Sequence, residues 1–336
     1  MKSNNARKIG KLGPEVTPVG IGGMSFTNFY GPCDNDQAHN VLKTAIDLGL
    51  NHLDTSNVYG MGTSEERIGS FLKKQGKQAN NLFSIATKAA IYRNPDTGAR
   101  GFNNSFIHLE DELDKSLERM NIDCVDLFYV HRRDPNILIE EVTESLAKLV
   151  KKGKTLNIGY SEISPSSLIR ATSIHQVAAV QSEYSLSTRS PEMGLIQTCK
   201  NLGTALVAFS PVGRTLLTDS PLSYQFAQTL DFTKNNPRFM QPNYDANISI
   251  TDKFRNYASD HGVAASTLAI AWILAKGEHI IPIPGTRSSV HLRELAAAMD
   301  FDMTSKILDD IETILPLGWA HGDRYSEAQW IGPERY

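Results

Sequence analysis

The tract TLNIGYSEISPSSLIRATSIHQVAAVQSEYSLSTRSPEMGLIQTCKNLGTALVAFS (155–210) decides the fold. It holds three short runs, TLNIGYS (155–161), AAVQSEY (178–184) and ALVAFS (205–210), separated by two helical patterns. The first helix opens at Ser164 as N-cap, with Pro165 in its first turn. The second covers 191–202 and stops at Gly203, a residue suited to the left-handed turn that ends a helix. Strands that stay apolar throughout, rather than alternating with polar residues, are buried on both faces. That pattern marks a parallel sheet covered by helices.

The alternation continues outward in both directions. Upstream lie VGIGG (19–23), NHLD (51–54), FSIATK (83–88) and CVDLFYV (124–130), and downstream IIPIP (280–284). Helical patterns cover 36–48, 64–74, 104–120, 139–152 and 251–261, three of them closed by Gly49, Gly153 and Gly262. In 104–120, the residues Ile107, Leu113, Leu117 and Met120 define the expected buried stripe. Eight strands, nearly all followed by a helix, predict a (β/α)8 TIM barrel. The expectation is a single α/β domain over 1–336, with the barrel at about 19–300 and a C-terminal helix and tail over 301–336. A short N-terminal β-hairpin precedes the barrel. A long loop after strand seven, 211–250, carries Pro211, Pro221, Pro237 and Pro242, and loops of that length are usually functional. An open doubly wound sheet needs a Gly-rich phosphate loop. The nearest candidate, Gly20-Ile21-Gly22-Gly23-Met24, lacks the GxGxxG spacing.

Composition narrows the function. The 336 residues are 40% hydrophobic and 21% charged, ordinary values for a chain that buries a full core. A formal net charge of −3 gives no reason to expect nucleic acid or a membrane surface as partner. Cys33, Cys124 and Cys199 are isolated, so neither a disulfide framework nor a metal site is expected, and a reducing compartment is. The opening MKSNNARKIGKLG (1–13) has no apolar segment of a secretory signal. The best apolar run, AASTLAIAWILA (264–275), falls short of the roughly 20 residues that cross a bilayer and reads as a buried helix. A cytoplasmic monomer or homo-oligomer is expected.

Barrel enzymes carry their working residues at the C-terminal ends of the strands. Those ends give Asp54 after the second strand with Tyr59 just beyond it, Lys88 at the third and His131 at the fourth. Each alone has an ordinary reading: a turn residue, a loop aromatic, a solvated lysine, a surface histidine. Four at successive ends, with nothing comparable at the opposite ends, describe a site.

The segments HLDTSNVYGMGTSEERIG (52–69), IATKAA (85–90), YVHRRDP (129–135), KTLNIGYSEIS (154–164), AAVQSEYS (178–185), LVAFSPVGR (206–214) and IIPIPGTRSSVHLREL (280–295) resemble the aldo-keto reductase superfamily, in the right order and over most of the chain. The pattern DTSxxYGxGxSEExIG (54–69) is a specific signature, and NPRF (236–239) is similar to the bacterial and plant branch. Glu162 and Leu295 depart from the pattern, standing where many members have asparagine, and His291 stands where many have arginine.

The resemblance implies reduction of an aldehyde or ketone, with NADPH/NADP+ as cofactor. Hydride delivery to a carbonyl carbon leaves an alkoxide that must be protonated. Tyr59 would be the acid; a free tyrosine has a pKa of about 10, and Lys88, held by Asp54, would lower it. His131 would hydrogen-bond the carbonyl oxygen. Around the nicotinamide the resemblance puts Ser161, Gln181 and Glu162, with Tyr184 stacked on the ring, and Gly22 and Met24 also belong to the cofactor site. Ser210, Val212, Gly213 and Arg214 would cradle the pyrophosphate. Gly285, Thr286, Arg287 and His291 would surround the 2′-phosphate, with Glu294 toward the adenine. Tyr184 and Gln181 also read as plain barrel filling.

The substrate, a small carbonyl compound, would meet Phe26, Tyr30, Tyr92 and Tyr325, residues that read equally as ordinary packing. Arg132 and Arg133 either select an anionic substrate or only pair with nearby acids. Two other functions fit parts of the pattern. A regulatory subunit that binds nucleotide with little turnover would retain the same four residues. A hydrolase with Asp54 and His131 on a metal is disfavoured by Lys88, which would repel a cation.

Overall fold

The computed structural model describes residues 6–94 and 98–336, so residues 1–5 and 95–97 of the expected single domain lie outside it. The eight strands are β1 (Ile21–Gly22), β2 (His52–Asp54), β3 (Ser84–Ala89), β4 (Val125–Val130), β5 (Thr155–Ser161), β6 (Val177–Glu183), β7 (Ala205–Phe209) and β8 (Ile280–Pro282). Each is parallel to its neighbour in chain order. The Gly20 and Gly22 N–H groups donate to the Pro282 and Pro284 carbonyls at 2.9 Å each, which closes the sheet into a barrel. Closure removes the edges that an open sheet would expose.

Two cores result from the two faces of the strands. Inside the barrel pack Ala86, Leu127, Tyr129, Ala179, Val207 and Ile281. The expected N-terminal hairpin, Arg7–Lys8 with Glu15–Val16, plugs the interior at one end with Ile9 and Val16. Between strands and helices lies the larger core, which includes Phe71, Phe128, Tyr160 and Trp272. Where β4 pairs with β5, a large residue lies opposite a small one, Tyr129 opposite Gly159. Gly159 shows why: a Cβ there would sit 2.5 Å from the Tyr129 ring and 2.8 Å from the Ala179 carbonyl.

Three expectations change. In the helix Phe106–Met120, capped by Ser105, the buried stripe is Leu109, Leu113, Leu117 and Met120, while Ile107 is 80% exposed. Six residues from 107 to 113 turn a helix by roughly 240°, so these two cannot share a face. The long loop ends earlier than 250, because the following helix runs Asn243–Asp260. Its buried face includes Asn247 and Thr251 beside Tyr244 and Phe254, and polar residues in a core stripe conceal a helix from hydrophobic periodicity. A hairpin, Ile91–Arg93 with Arg100–Phe102, follows β3 and has no counterpart among the strands expected from the sequence.

After the helix Ser305–Ile314 the tail returns to the rim of the barrel. Trp319 Nε1 donates to the Leu186 carbonyl at 2.8 Å, and the Glu334 N–H donates to the Glu162 carbonyl at 2.8 Å. Among the described residues no helix is long and apolar enough to cross a membrane.

The fit between Gly159 and Tyr129 is testable. Gly159→Ala should destabilise the chain by about 1–3 kcal/mol through overpacking, read as a lower urea midpoint at unchanged slope. Combining it with Tyr129→Leu should recover part of the loss. Equal midpoints for Gly159→Ala and the parent chain would refute the packing argument.

Candidate active site

Strand ends bring the four expected residues together. Lys88, on β3, is fully buried and forms an ion pair with Asp54 at the end of β2. Its ammonium also donates to the Thr55 carbonyl at 2.7 Å and to the Tyr59 hydroxyl at 3.4 Å. The second Asp54 oxygen accepts from Gln181 Nε2 on β6 at 2.8 Å. His131, just past β4, meets Tyr59 edge-on with ring centroids 5.8 Å apart. Its Nδ1 lies 3.1 Å from Ser56 Oγ. Acid, amine, phenol and imidazole thus form one contiguous array.

Burial sets the protonation states. For Lys88 the largest effect is desolvation, which favours the neutral amine, but Asp54 and Tyr59 together raise its pKa above the ordinary lysine value. Desolvation raises the Tyr59 pKa, with Lys88 working against it. The lowered phenol expected from the sequence is therefore not what this arrangement produces. Asp54 offsets part of the lysine's charge, and withdrawal from water outweighs the remainder. His131 is pushed well below the ordinary histidine value, first by burial and then by Arg132, Lys88 and Arg100. It is a neutral imidazole at physiological pH.

Asp54, Tyr59 and His131 open onto a cavity of about 1400 Å³. That exceeds the roughly 300–1,000 Å³ of a pocket for one small ligand. Gly22, Met24, Ser161 and Gln181 line it together with Asp54, Tyr59 and His131, and Ser210, Val212 and Arg214 line it after β7. Gly285, Thr286, Arg287, His291 and Glu294 line it beyond β8. His291 and Glu294 belong to the helix Ser289–Ala297, whose N-cap Ser288 accepts from the His291 N–H. Of the expected substrate residues, Tyr30, Tyr92, Arg132 and Tyr325 line the cavity.

The other expected residues lie elsewhere. Tyr184 has no exposed surface; it packs on Trp272 and its hydroxyl donates to Glu192 at 2.8 Å. Side chains alternate along β6, so Gln181 facing in puts Tyr184 out. The aromatic that lines the cavity from the ends of β6 and β7 is Phe209, on β7. Counting by two from inward Val207 would have found it. Phe26 is buried in the outer core, its carbonyl held by Arg67. Glu162 turns away at φ +58°; its carboxylate accepts from Ser182 Oγ at 3.1 Å and the Glu183 N–H at 2.8 Å, and pairs with Arg324 of the tail. Gly213 does not reach the cavity, but at φ +58° it makes the turn that presents Val212 and Arg214. Arg133 is held by Glu334 and the Ile137 carbonyl.

A family model, the Aldo/keto reductase family, matches residues 18–316. The chain belongs to this family. Among curated relatives it is 35% identical to the Schizosaccharomyces pombe aldo-keto reductase yakc, named with NADP(+), over 94% of this chain and 93% of that one. It is also 35% identical to the probable aldo-keto reductase 1 of Glycine max, over 95% and 91%. Solved structures agree in fold. Glycerol dehydrogenase AKR11B4 from Gluconobacter oxydans superposes with a TM-score of 0.81 at 23% identity, covering 93% of this chain and 95% of that one. The holo form of aldo-keto reductase AKR11C1 from Bacillus halodurans gives 0.77 at 21%, covering 97% and 99%. The chain is accordingly an oxidoreductase on a (β/α)8 barrel.

Exchanging Tyr184 for Phe209 in this aldo-keto reductase has a measurable consequence. Phe209→Ala should weaken NADPH binding about three- to tenfold, the worth of one aromatic stack. Tyr184→Phe should leave the affinity alone and cost about 1 kcal/mol of stability through the lost hydrogen bond. Fluorescence titration and urea unfolding separate the two, and the opposite assignment would restore Tyr184 to the cofactor.

Proposed function

We propose that the enzyme reduces an aldehyde or ketone to the alcohol, reversibly, with NADPH as cofactor and Tyr59 as general acid. The observation that carries this reading is the Lys88–Tyr59 hydrogen bond, anchored on buried Asp54 and set beside neutral His131. The NADP(+) in the name of the Schizosaccharomyces pombe relative supports the cofactor.

The donor set fits a phosphorylated dinucleotide. The chain offers a guanidinium, an imidazole and a capped helix start (Arg287, His291, Ser288) in the same cavity as the catalytic residues. Helix N-termini and arginine forks both suit phosphate. Ser161 and Gln181 would hold the carboxamide, Phe209 the nicotinamide face, Ser210, Val212 and Arg214 the pyrophosphate. Gln181 already gives its amide N–H to Asp54, which leaves its carbonyl oxygen for the carboxamide. Bound there, the cofactor supplies the hydride.

The protein's own part is to place the carbonyl and supply a proton. The neutral His131 ring offers one N–H to the carbonyl oxygen, polarising it without giving up a charge. As negative charge develops on that oxygen, the Tyr59 hydroxyl transfers its proton to it. The Lys88 ammonium stabilises the phenolate left behind, and Asp54 keeps that ammonium fixed. Raised above its ordinary value, the phenol stays protonated at neutral pH, which suits reduction. In the oxidative direction the same hydroxyl must first lose its proton, so that direction is favoured as pH rises.

Two variants test the assignment. Tyr59→Phe should lower kcat for reduction by at least about 10²-fold while NADPH affinity stays near normal. Near-normal turnover would sink the mechanism. Lys88→Met, made with Asp54→Asn so that no buried charge is stranded, should shift the pH profile of alcohol oxidation upward, because the effect that opposes the raised phenol is gone. With chemistry limiting, an unmoved profile would count against the lysine.

A further inference from the structure

Three guanidinium groups on the substrate side are unused by the mechanism. Arg93 and Arg100, on the hairpin after β3, line the same cavity as Tyr59 and His131, and so does Arg132, adjacent to His131. Among the described residues none of the three forms an ion pair with a carboxylate. Arg132 is 8% exposed. One of its nitrogens, Nη1, donates to the His131 carbonyl at 2.7 Å and to Ser161 Oγ at 3.0 Å. Its Nε is buried without any partner. Arg100 rests over the Phe102 ring, 5.3 Å from its centroid. Elsewhere in the cavity wall Arg214 and Arg119 have counter-charges, Glu183 and Glu65, and Arg287, on the cofactor side, donates to the Pro32 carbonyl. The acids on this side are occupied too, Glu112 by Asn57 and Lys115, and Asp231 by Lys234.

Arg132 has no carboxylate in contact: Glu162, which feels its charge, is taken by Arg324, and a buried guanidinium so placed, with an unpaired donor, is costly. Such a group persists where a ligand completes it. Within the protein Arg132 donates only through Nη1, and Nε is closed off from solvent, so Nη2 is the group left to give a charge-assisted hydrogen bond to a carboxylate oxygen. The like charges also act on one another. Burial first, then Arg132, lowers the Arg100 pKa, and both arginines help to hold His131 neutral. An anion bound between them would relieve that repulsion.

We propose that the preferred substrates are carbonyl compounds with an apolar or aromatic body and a carboxylate, which Arg132 and Arg100 bind while Tyr30, Tyr92 and Tyr325 hold the body. This rests on the carbonyl-reductase reading above. Arg132 then also acts in positioning, since it links the bound anion to Ser161 and to the His131 backbone and so fixes the distance between carboxylate and reacting carbonyl.

The test compares three aldehydes of one shape with the purified enzyme and NADPH: para-carboxybenzaldehyde, its methyl ester, and para-trimethylammoniobenzaldehyde. Ester and ammonium groups withdraw electrons more strongly than a carboxylate, so intrinsic reactivity favours the two competitors and any preference for the acid reflects binding. The expected order of kcat/KM is acid, then ester, then cation, with acid over ester by about tenfold or more, the usual worth of a charge-assisted hydrogen bond. Arg132→Gln and Arg100→Gln should each lower the acid-to-ester ratio by about fivefold or more, mainly through KM. Arg132→Lys should restore only part of it, because the charge returns without the planar guanidinium that also bonds the His131 carbonyl and Ser161 Oγ. High salt should shrink the ratio in the parent enzyme. An acid-to-ester ratio of one or less in the parent, or an unchanged ratio in both glutamine variants, overturns the inference. So does a loss of NADPH affinity in those variants at constant ratio, which would assign the arginines to the cofactor. Should none of the three aldehydes, nor other neutral aldehydes, consume NADPH, the carbonyl-reductase reading itself fails; turnover without preference removes the substrate class alone.

Discussion

Everything at the mouth of the barrel is arranged around one buried charge, the Lys88 ammonium. Moving such a group out of water costs several kcal/mol unless its partners are well placed. Three elements supply them: Asp54 and the Thr55 carbonyl from the end of β2, the Tyr59 hydroxyl from the loop beyond, and Gln181 on β6, which braces Asp54 from the far side. Parallel pairing of β2 with β3 sets Asp54 opposite Ala86, two residues before Lys88 on the same face. The ion pair is therefore a consequence of strand register, and a one-residue slip would send the lysine into the outer core. The chemistry follows from the same fact. A lysine that cannot lose its proton is a fixed positive charge, and Tyr59 is the group that responds to it.

A second set of charges holds the wall. Glu162 from the end of β5 and Glu183 from β6 receive Arg214 of the loop after β7, Arg238 of the NPRF run and Arg324 of the tail. All five are 8% exposed or less. Desolvation acts to raise the Glu162 pKa, but Arg324 and Arg132 hold it below the ordinary carboxylate value. Removing one partner from such a cluster is more damaging than replacing the whole by apolar groups, since the others are left buried and unmatched. The departure noted in the sequence, Glu162 where many relatives have asparagine, is thereby explained. Its carboxylate does not line the cavity and instead ties the end of β5 to the C-terminal tail.

How far the sequence could be read depended on how local each signal was. The strands were legible because doubly buried strands are apolar throughout, and Asp54, Tyr59, Lys88 and His131 because strand ends are countable. What escaped was direction. Tyr184 and Phe209 are both aromatics at strand ends, and only the two-residue alternation fixed by their inward neighbours distinguishes them. The helix Asn243–Asp260 is longer than its apolar pattern because Asn247 and Thr251 occupy its buried face. Asn247 is there to bond the Arg238 and His321 carbonyls, a reason that lies 74 residues away in the tail. The direction of the Tyr59 shift escaped for a similar cause. The charge of Lys88 is visible in the sequence, while the desolvation that outweighs it belongs to the assembled site.

These ties also constrain how the cavity opens. The loop after β7 contributes Thr215, Thr218 and Leu222 to the cavity wall, and later Phe232. Its far end is not free to swing. Asn236 Nδ2 donates to the Arg324 carbonyl at 2.7 Å, and Arg238 donates to the Ser187 carbonyl at 2.7 Å. Arg214 stacks on Phe232, 4.2 Å from its centroid, and lies 5.6 Å from that of Tyr325, so loop and tail meet over one guanidinium. Displacing the loop alone would leave Arg214 without its carboxylate and strip Glu183 of its nearest cation, with Arg324 of the tail remaining at 3.7 Å. The low-cost motion is one that carries loop and tail together and keeps the Arg214–Glu183 and Arg324–Glu162 pairs intact. The tail is thus part of the working site, because it decides which segments of the mouth can move independently and which cannot.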